Sequence, residues 1–279
     1  IHKDQQKQYQ ALEGLMQSFE QPIADITNTV SLLQTGIDDN ERQELLTWLS
    51  PANHLEAHAR AHRDVSPGTG TWFLNSTEYE SWKSSSSSAL LWVCGIPGCG
   101  KTKLISITID ELLCASKADQ SFPQTAYFYC SKNNAGTSGR TAHDVIRDLL
   151  KQLACHPTNG KIHALVDDEY RKSKAIAARV GVSLLAPSME TCLDLLTSIL
   201  DERPALIVVD GVDELGEDPS QLLLALDELV TRSSSTTKVL VASRDEPSIR
   251  SHIGTYPSLT ITSAHNAEDI KAFINTSLD

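Results

Sequence analysis

The chain has no apolar run of about 18 residues, the length a membrane-spanning helix needs, and no leading stretch that reads as a secretory signal. Membrane contact is not expected, and the expected location is the cytoplasm. Positive charge is scarce. There are 24 Lys and Arg against 36 Asp and Glu, a formal net charge of −12. That balance repels a phosphate backbone, so no nucleic-acid partner is expected. C-x-x-C spacing is absent. Cys94, Cys99, Cys114, Cys130, Cys155 and Cys192 stand singly, mostly in apolar runs, the pattern of buried free thiols in a reducing compartment. No G-x-S-x-G elbow supports a Ser-His-Asp hydrolase. His54, His58 and His62 recur every four residues and would share a helix face. H-E-x-x-H is missing and no Cys or acidic fourth ligand is evident nearby, so they are read as a solvated face rather than a metal site.

What is present is enough for one large α/β domain with a helical appendage: 279 residues, 40% hydrophobic and 22% charged. Residues 1–50 are expected to form a helical arm or linker. Leu12, Met16, Phe19, Ile23, Ile26, Val30, Leu33 and Ile37 follow a/d spacing, which suits either an amphipathic helix packed on its own domain or a coiled coil. Pro22 interrupts the run, which favours an arm folded back on its own chain. Asp38 and Glu41 resemble a capping box that opens a second helix through Leu49, with Pro51 after its end. Residues 51–88 are expected to be a lead-in segment docking on the core through Trp72, Phe73, Leu74 and Trp82. It contains the loop SPGTG and ends in a Ser84–Ser88 run that reads as a flexible connector. The chain begins at Ile1 and stops at Asp279 inside a helical pattern, so it is expected to be part of a longer protein, truncated at its C-terminal side.

From Ala89 the rhythm becomes strand-then-helix. Strands are expected at Ala89–Cys94, Thr125–Cys130, Ala205–Val209, Lys238–Ala242 and Ser258–Thr262. Helices are expected at Lys101–Ser116, Thr141–Ala154, Ile162–Val180, Met189–Leu200, Pro219–Val230 and Ala267–Leu278. Continuous apolar strands separated by helices imply an α/β three-layer sandwich with a mostly parallel sheet.

Gly95-Ile96-Pro97-Gly98-Cys99-Gly100-Lys101-Thr102 fits the phosphate-loop pattern G-x-x-x-x-G-K-[ST], with a strand before it and a helix after. The glycines let the backbone wrap phosphates with its N–H groups, and the helix N-terminus adds partial positive charge. Lys101 is expected on the β- and γ-phosphates and the Thr102 hydroxyl on Mg2+. Such a site needs a carboxylate at the end of a neighbouring strand, and ALIVVDGVDE supplies Asp210 as the metal-side group. Asp213 and Glu214 follow. One of them could orient an attacking water, with Glu214 favoured, or both could simply cap the next helix. KVLVASRDEP ends a further buried strand at Arg244. Its guanidinium is placed to sense a γ-phosphate or to pair with a surface carboxylate.

Together, GIPGCGKT, ALIVVDGVDEL and KVLVASRDE resemble the NACHT family of STAND signalling NTPases. The lead-in SPGTGTWFLNSTEYESWKSSSSSALLWVCGIPGCGKT resembles the fungal NACHT and nephrocystin-3-like N-terminal proteins more closely still. The resemblance covers about residues 40–279, and makes 89–279 a NACHT-type nucleotide-binding domain. It implies an NLR-like switch in signal transduction and innate immunity: closed with ADP or GDP, self-associating with ATP or GTP and Mg2+, reset by slow hydrolysis. It also implies an N-terminal effector and a C-terminal repeat sensor in the parent chain, with a nucleotide-sensing histidine beyond Asp279. Lys101, Thr102, Asp210, Glu214 and Arg244 take the family's roles by resemblance. Two other classes compete. A nucleotide-holding scaffold would bind without turnover, and a metabolic P-loop kinase would need an Arg-rich acceptor pocket that residues 131–187 do not offer as a cluster.

Overall fold

The computed structural model describes residues 39–130, 140–265 and 269. The heptad run and most of the expected 267–278 helix lie outside these residues. The chain divides into two units, Ile1–Thr47 and Trp48–Asp279. Of the first unit, residues 39–47 are described and helical, and this helix, α1, ends at residue 49.

The second unit opens with three short helices: α2 (His54–His62), α3 (Thr71–Leu74) and α4 (Thr77–Ser84). The strands are β1 (Ala89–Gly95), β2 (Gln124–Tyr129), β3 (Ala205–Asp210), β4 (Thr237–Ser243) and β5 (Ser258–Ile261). The remaining helices are α5 (Lys101–Ala118), α6 (Ala142–Ala154), α7 (Ala164–Val180), α8 (Met189–Glu202), α9 (Ser220–Arg232) and α10 (Pro247–Ile253). All strand pairs are parallel, in the order β2-β3-β4-β1-β5. The acidic strand β3 is therefore not the neighbour of β1, as the sequence had suggested. β4 lies between them.

The sheet is buried on both faces, which is why its strands are continuously apolar. Leu91 and Val93, Tyr127 and Tyr129, Leu206 and Val208, Leu240 and Ala242 share one core with Leu104, Ile105, Ile109 and Leu112 of α5. Alternate residues such as Leu90, Trp92, Ile207 and Val239 are equally buried, facing the other side, where α6, α8 and α9 pack against one another. The expected three-layer sandwich is thus the observed one.

The lead-in is part of this core. Phe73, Tyr79 and Trp82 belong to the cluster on the α5 side, and Trp82 Nε1 donates to Val239 O at 3.1 Å. Helix α2 carries its histidines onto polar partners. His58 bridges the Tyr129 hydroxyl at 2.8 Å and Asp110 at 2.9 Å, and His62 Nδ1 lies 2.8 Å from Asp110 Oδ2. Burial lowers the pKa of His54, whose Nδ1 lies 3.8 Å from the fully buried Asp148. His54 and His58 thus dock the helix, whereas His62 remains about as exposed as its partner, at 40%. No cluster of three potential ligands able to hold a metal occurs among the described residues. The serine run is also more ordered than a flexible connector. Ser88 Oγ accepts from Thr237 N at 3.0 Å, and Thr236 Oγ1 donates to Ser86 O at 3.1 Å. Helix α10 was not anticipated, because SRDEP masks its start. Pro247 sits in its first turn, and Ile249 and Ile253 are buried at helical spacing.

Candidate functional site

The loop between β1 and α5 turns through glycine. Gly98 and Gly100 have φ of 76° and 86°, in the left-handed region. At Gly95 a Cβ would come within 2.7 Å of Cys99 Sγ and 3.2 Å of Ile261 Cβ. Helix α5 then starts at Lys101 with Gly100 as N-cap and no side chain capping it. Its first N–H groups have no intrahelical partner, so they remain available to an anion. The Lys101 ammonium lies within the loop, donating to Gly95 O at 2.7 Å and Ile96 O at 3.0 Å.

Across from the loop, β3 delivers Asp210. It is 4% exposed, and burial, followed by the nearby carboxylate of Glu214, raises its pKa to about 7 against a hydrogen bond from Thr102. Among the described residues Asp210 Oδ1 is buried with no hydrogen-bond partner. A buried carboxylate oxygen left unmatched is costly unless something cationic completes it. An oxygen-only pair, the Thr102 hydroxyl and the Asp210 carboxylate, suits a hard divalent cation such as Mg2+. The residues present therefore fit that ion.

Gly211 follows at φ 72°, where a Cβ would come within 2.8 Å of Cys130 O. This glycine lets the chain pass close over the end of β2 into a short 3-10 turn, Val212–Glu214. The turn separates two adjacent carboxylates. Asp213 Oδ1 accepts from Arg244 N at 2.9 Å, and its Oδ2 lies 3.1 Å from Arg244 Nε. Among the described residues no hydrogen bond or ion pair engages the Glu214 carboxylate. Arg244 is fixed from its other side by Ser243, whose hydroxyl accepts from Trp92 Nε1 and donates to Arg244 O, both at 2.8 Å.

Lys101, Thr102, Asp210, Asp213, Glu214 and Arg244 line one cavity of about 290 Å3, together with Pro97, Gly98 and Gly100. The expected site residues thus come together, apart from Gly95 and Cys99. Gly95 lies beneath the loop, and Cys99 lines a second cavity of about 380 Å3. The two cavities share Gly98, Gly100 and Lys103. The second is walled by Asp64, Val65, Ser66, Thr69 and Gly70 of the lead-in and by Leu104, Ile107 and Asp269. Asp269 Oδ2 accepts from Gly70 N at 3.0 Å and Trp72 Nε1 at 3.1 Å. Sequence reasoning took this stretch for a plain loop. Its signal was the crowding of turn residues in SPGTG, where Gly68 and Gly70 adopt positive φ and Asp64 does so without being glycine.

A family model described as Nephrocystin 3, N-terminal matches residues 68–244, well over half the chain. The vegetative incompatibility protein HET-E-1 of Podospora anserina is 29% identical over 212 residues, covering 73% of this chain. The chain spans only 14% of that relative's length. Among solved structures, the Aeropyrum pernix ORC1 protein, in complex with DNA, has a TM-score of 0.39 at 17% identity, covering 83% of this chain and 53% of its own. Cdc6p from Pyrobaculum aerophilum has a TM-score of 0.40 at 15% identity, covering 82% and 53%.

Proposed function

Because the chain belongs to the nephrocystin-3 N-terminal family, we propose that it is a nucleotide-binding P-loop protein that works as an NTP-dependent switch with slow hydrolysis. The triphosphate lies along the phosphate loop. Lys101 and the free N–H groups of α5 hold the phosphates, and the base and ribose occupy the second cavity. Thr102 and Asp210 would hold Mg2+, which would supply charge neutralisation at the phosphates. Glu214 orients the attacking water and receives its proton, and Arg244 reads the terminal phosphate.

One observation carries the reading: the buried, unpartnered Asp210 Oδ1 stands with Thr102 in a cavity that also holds Lys101. A surface ion-pair network has no need of an orphan carboxylate beside an uncapped helix N-terminus. Among the described residues the Glu214 carboxylate has no hydrogen bond or ion pair, which favours turnover over a scaffold that only holds nucleotide.

In the longer protein, residues 1–50 would link an upstream effector to the core, and self-association would follow triphosphate binding. Among the described residues no helix is long and apolar enough to cross a membrane. All six cysteines are free thiols, which suits a cytoplasmic setting. The test is titration with fluorescent adenine and guanine nucleotides, with and without Mg2+, alongside identification of any nucleotide that co-purifies. Saturable, Mg2+-dependent binding is expected. No binding of either nucleotide would overturn the proposal.

A further inference from the structure

Of the two neighbouring carboxylates at the nucleotide site, only Asp213 has a partner among the described residues, and the difference bears on how the site measures phosphate number. Asp213 is almost buried, its side chain 3% exposed, and it grips Arg244 twice. One contact is to the backbone N–H and sets where the end of β4 sits. The other is to Nε and is an ion pair. Arg244 itself is 46% exposed and lines the phosphate cavity beside Lys101. Among the described residues no hydrogen bond engages its Nη groups.

We propose that Asp213 is a positioning residue that competes with the terminal phosphate for Arg244, so that this ion pair sets how strongly the site prefers a nucleoside triphosphate to a diphosphate. The inference rests on the nucleotide-binding reading above and deepens it. A guanidinium is strongly attracted to phosphate oxygens, and its planar fork can bind two of them. The guanidinium is half-exposed although its carboxylate is nearly buried, so solvent screens the pair from the arginine side and competes for Arg244. A terminal phosphate can therefore draw the guanidinium away, whereas a diphosphate brings no such group. Asp213 has two effects. Its backbone contact keeps Arg244 at the rim of the cavity, and its charge opposes release of the side chain. The pair thus works as a threshold. Glu214, with no such partner, has no share in it.

The two effects separate by substitution. Asp213→Asn keeps an amide oxygen for the Arg244 N–H and removes the charge facing Nε. Affinities for the imido triphosphate and for the diphosphate are measured on the full chain, with adenine and guanine nucleotides in Mg2+. The Asn variant is expected to bind triphosphate about threefold to fivefold more tightly, the size of one screened ion pair, with diphosphate affinity unchanged. Arg244→Gln should lower triphosphate affinity alone, and the double variant should show no gain. A purely structural role for Asp213 predicts the opposite sign: both nucleotides weaken together. That result, or an unchanged ratio, overturns the inference. If the wild-type chain binds neither nucleotide, the nucleotide reading itself has failed, which is a separate outcome. Should the Asn variant not fold, the Nε–H resonance of Arg244 in 15N-arginine-labelled wild type decides. It should move with the triphosphate and stay in place with the diphosphate. Equal movement with both, or movement with neither, overturns the inference.

Discussion

The cavity on the acidic side of the phosphate loop is walled by Lys101, Asp210 and Arg244, while the one on the other side is walled by Val65, Leu104 and Ile107. The first offers charges fixed by strand ends and a helix start. The second offers mainly aliphatic side chains and lead-in backbone, with Asp64, Lys103 and Asp269 also in its wall, and its apolar part suits a flat ring more than an ion. Phosphate affinity and base affinity should accordingly be separable by mutation, even though Gly98, Gly100 and Lys103 belong to both walls.

The largest effect should come from the charged wall. Lys101→Ala is expected to cut affinity for any triphosphate by about a thousandfold, because the phosphate charge loses its main cationic partner. Fluorescent-nucleotide titration checks it, and a change under about tenfold would remove Lys101 from the site. Next, Glu214→Gln should slow single-turnover phosphate release about a hundredfold with binding intact. If Asp213→Asn stops turnover and Glu214→Gln does not, the base has been misassigned.

The apolar wall gives a smaller effect. Ile107→Trp narrows the second cavity and should weaken whole nucleotide about tenfold. Affinity for inorganic triphosphate should not change. Equal loss for both ligands would show that the walls are not independent.

The smallest effect is on stability, and it changes with pH. The folded-state pKa of Asp210 is raised to about 7 from 3.8, so the folded chain binds this proton more tightly than the unfolded chain. The stability this group contributes is present at pH 4 and is lost as pH rises toward 7. Asp210→Asn should therefore stabilise the fold at pH 8, by on the order of 2 kcal/mol, with the difference vanishing near pH 4. Mg2+ binding runs the other way, since it needs the ionised carboxylate. In the wild type it should weaken below about pH 7, and in the Asn variant it should be lost. Thermal unfolding at the two pH values, with and without Mg2+, measures both.

The phosphate loop, the acidic strand and most helices were legible in the sequence, because each is a local pattern: GIPGCGKT, four or more apolar residues before Asp210, buried residues three and four apart. The strand order was not. ALLWV, ALIVV and KVLVA are equally apolar, and nothing in them states that β4 pairs with both of the others, since such pairing joins residues far apart in sequence. The contrast between Asp213 and Glu214 was also hidden. As neighbouring acids they look alike, and only the turn after Gly211 gives one of them Arg244. The second cavity went unread because the lead-in and the phosphate loop meet only once the core has formed.

The placement of β1 also bears on how the chain is made. β1 pairs with β4 and β5 alone, as in Ala89 with Lys238 and Trp92 with Ser258. During synthesis it emerges long before either partner, while β2 and β3 can already pair with each other. The stretch Leu90–Val93 must then wait, apolar and unpaired, until the ribosome has delivered residues 237–261. A nascent chain in that condition is aggregation-prone and a natural client for chaperones. The loop at the end of β1 is thus written early and set in place late, and truncations that stop before β4 should yield insoluble protein rather than a half-built domain.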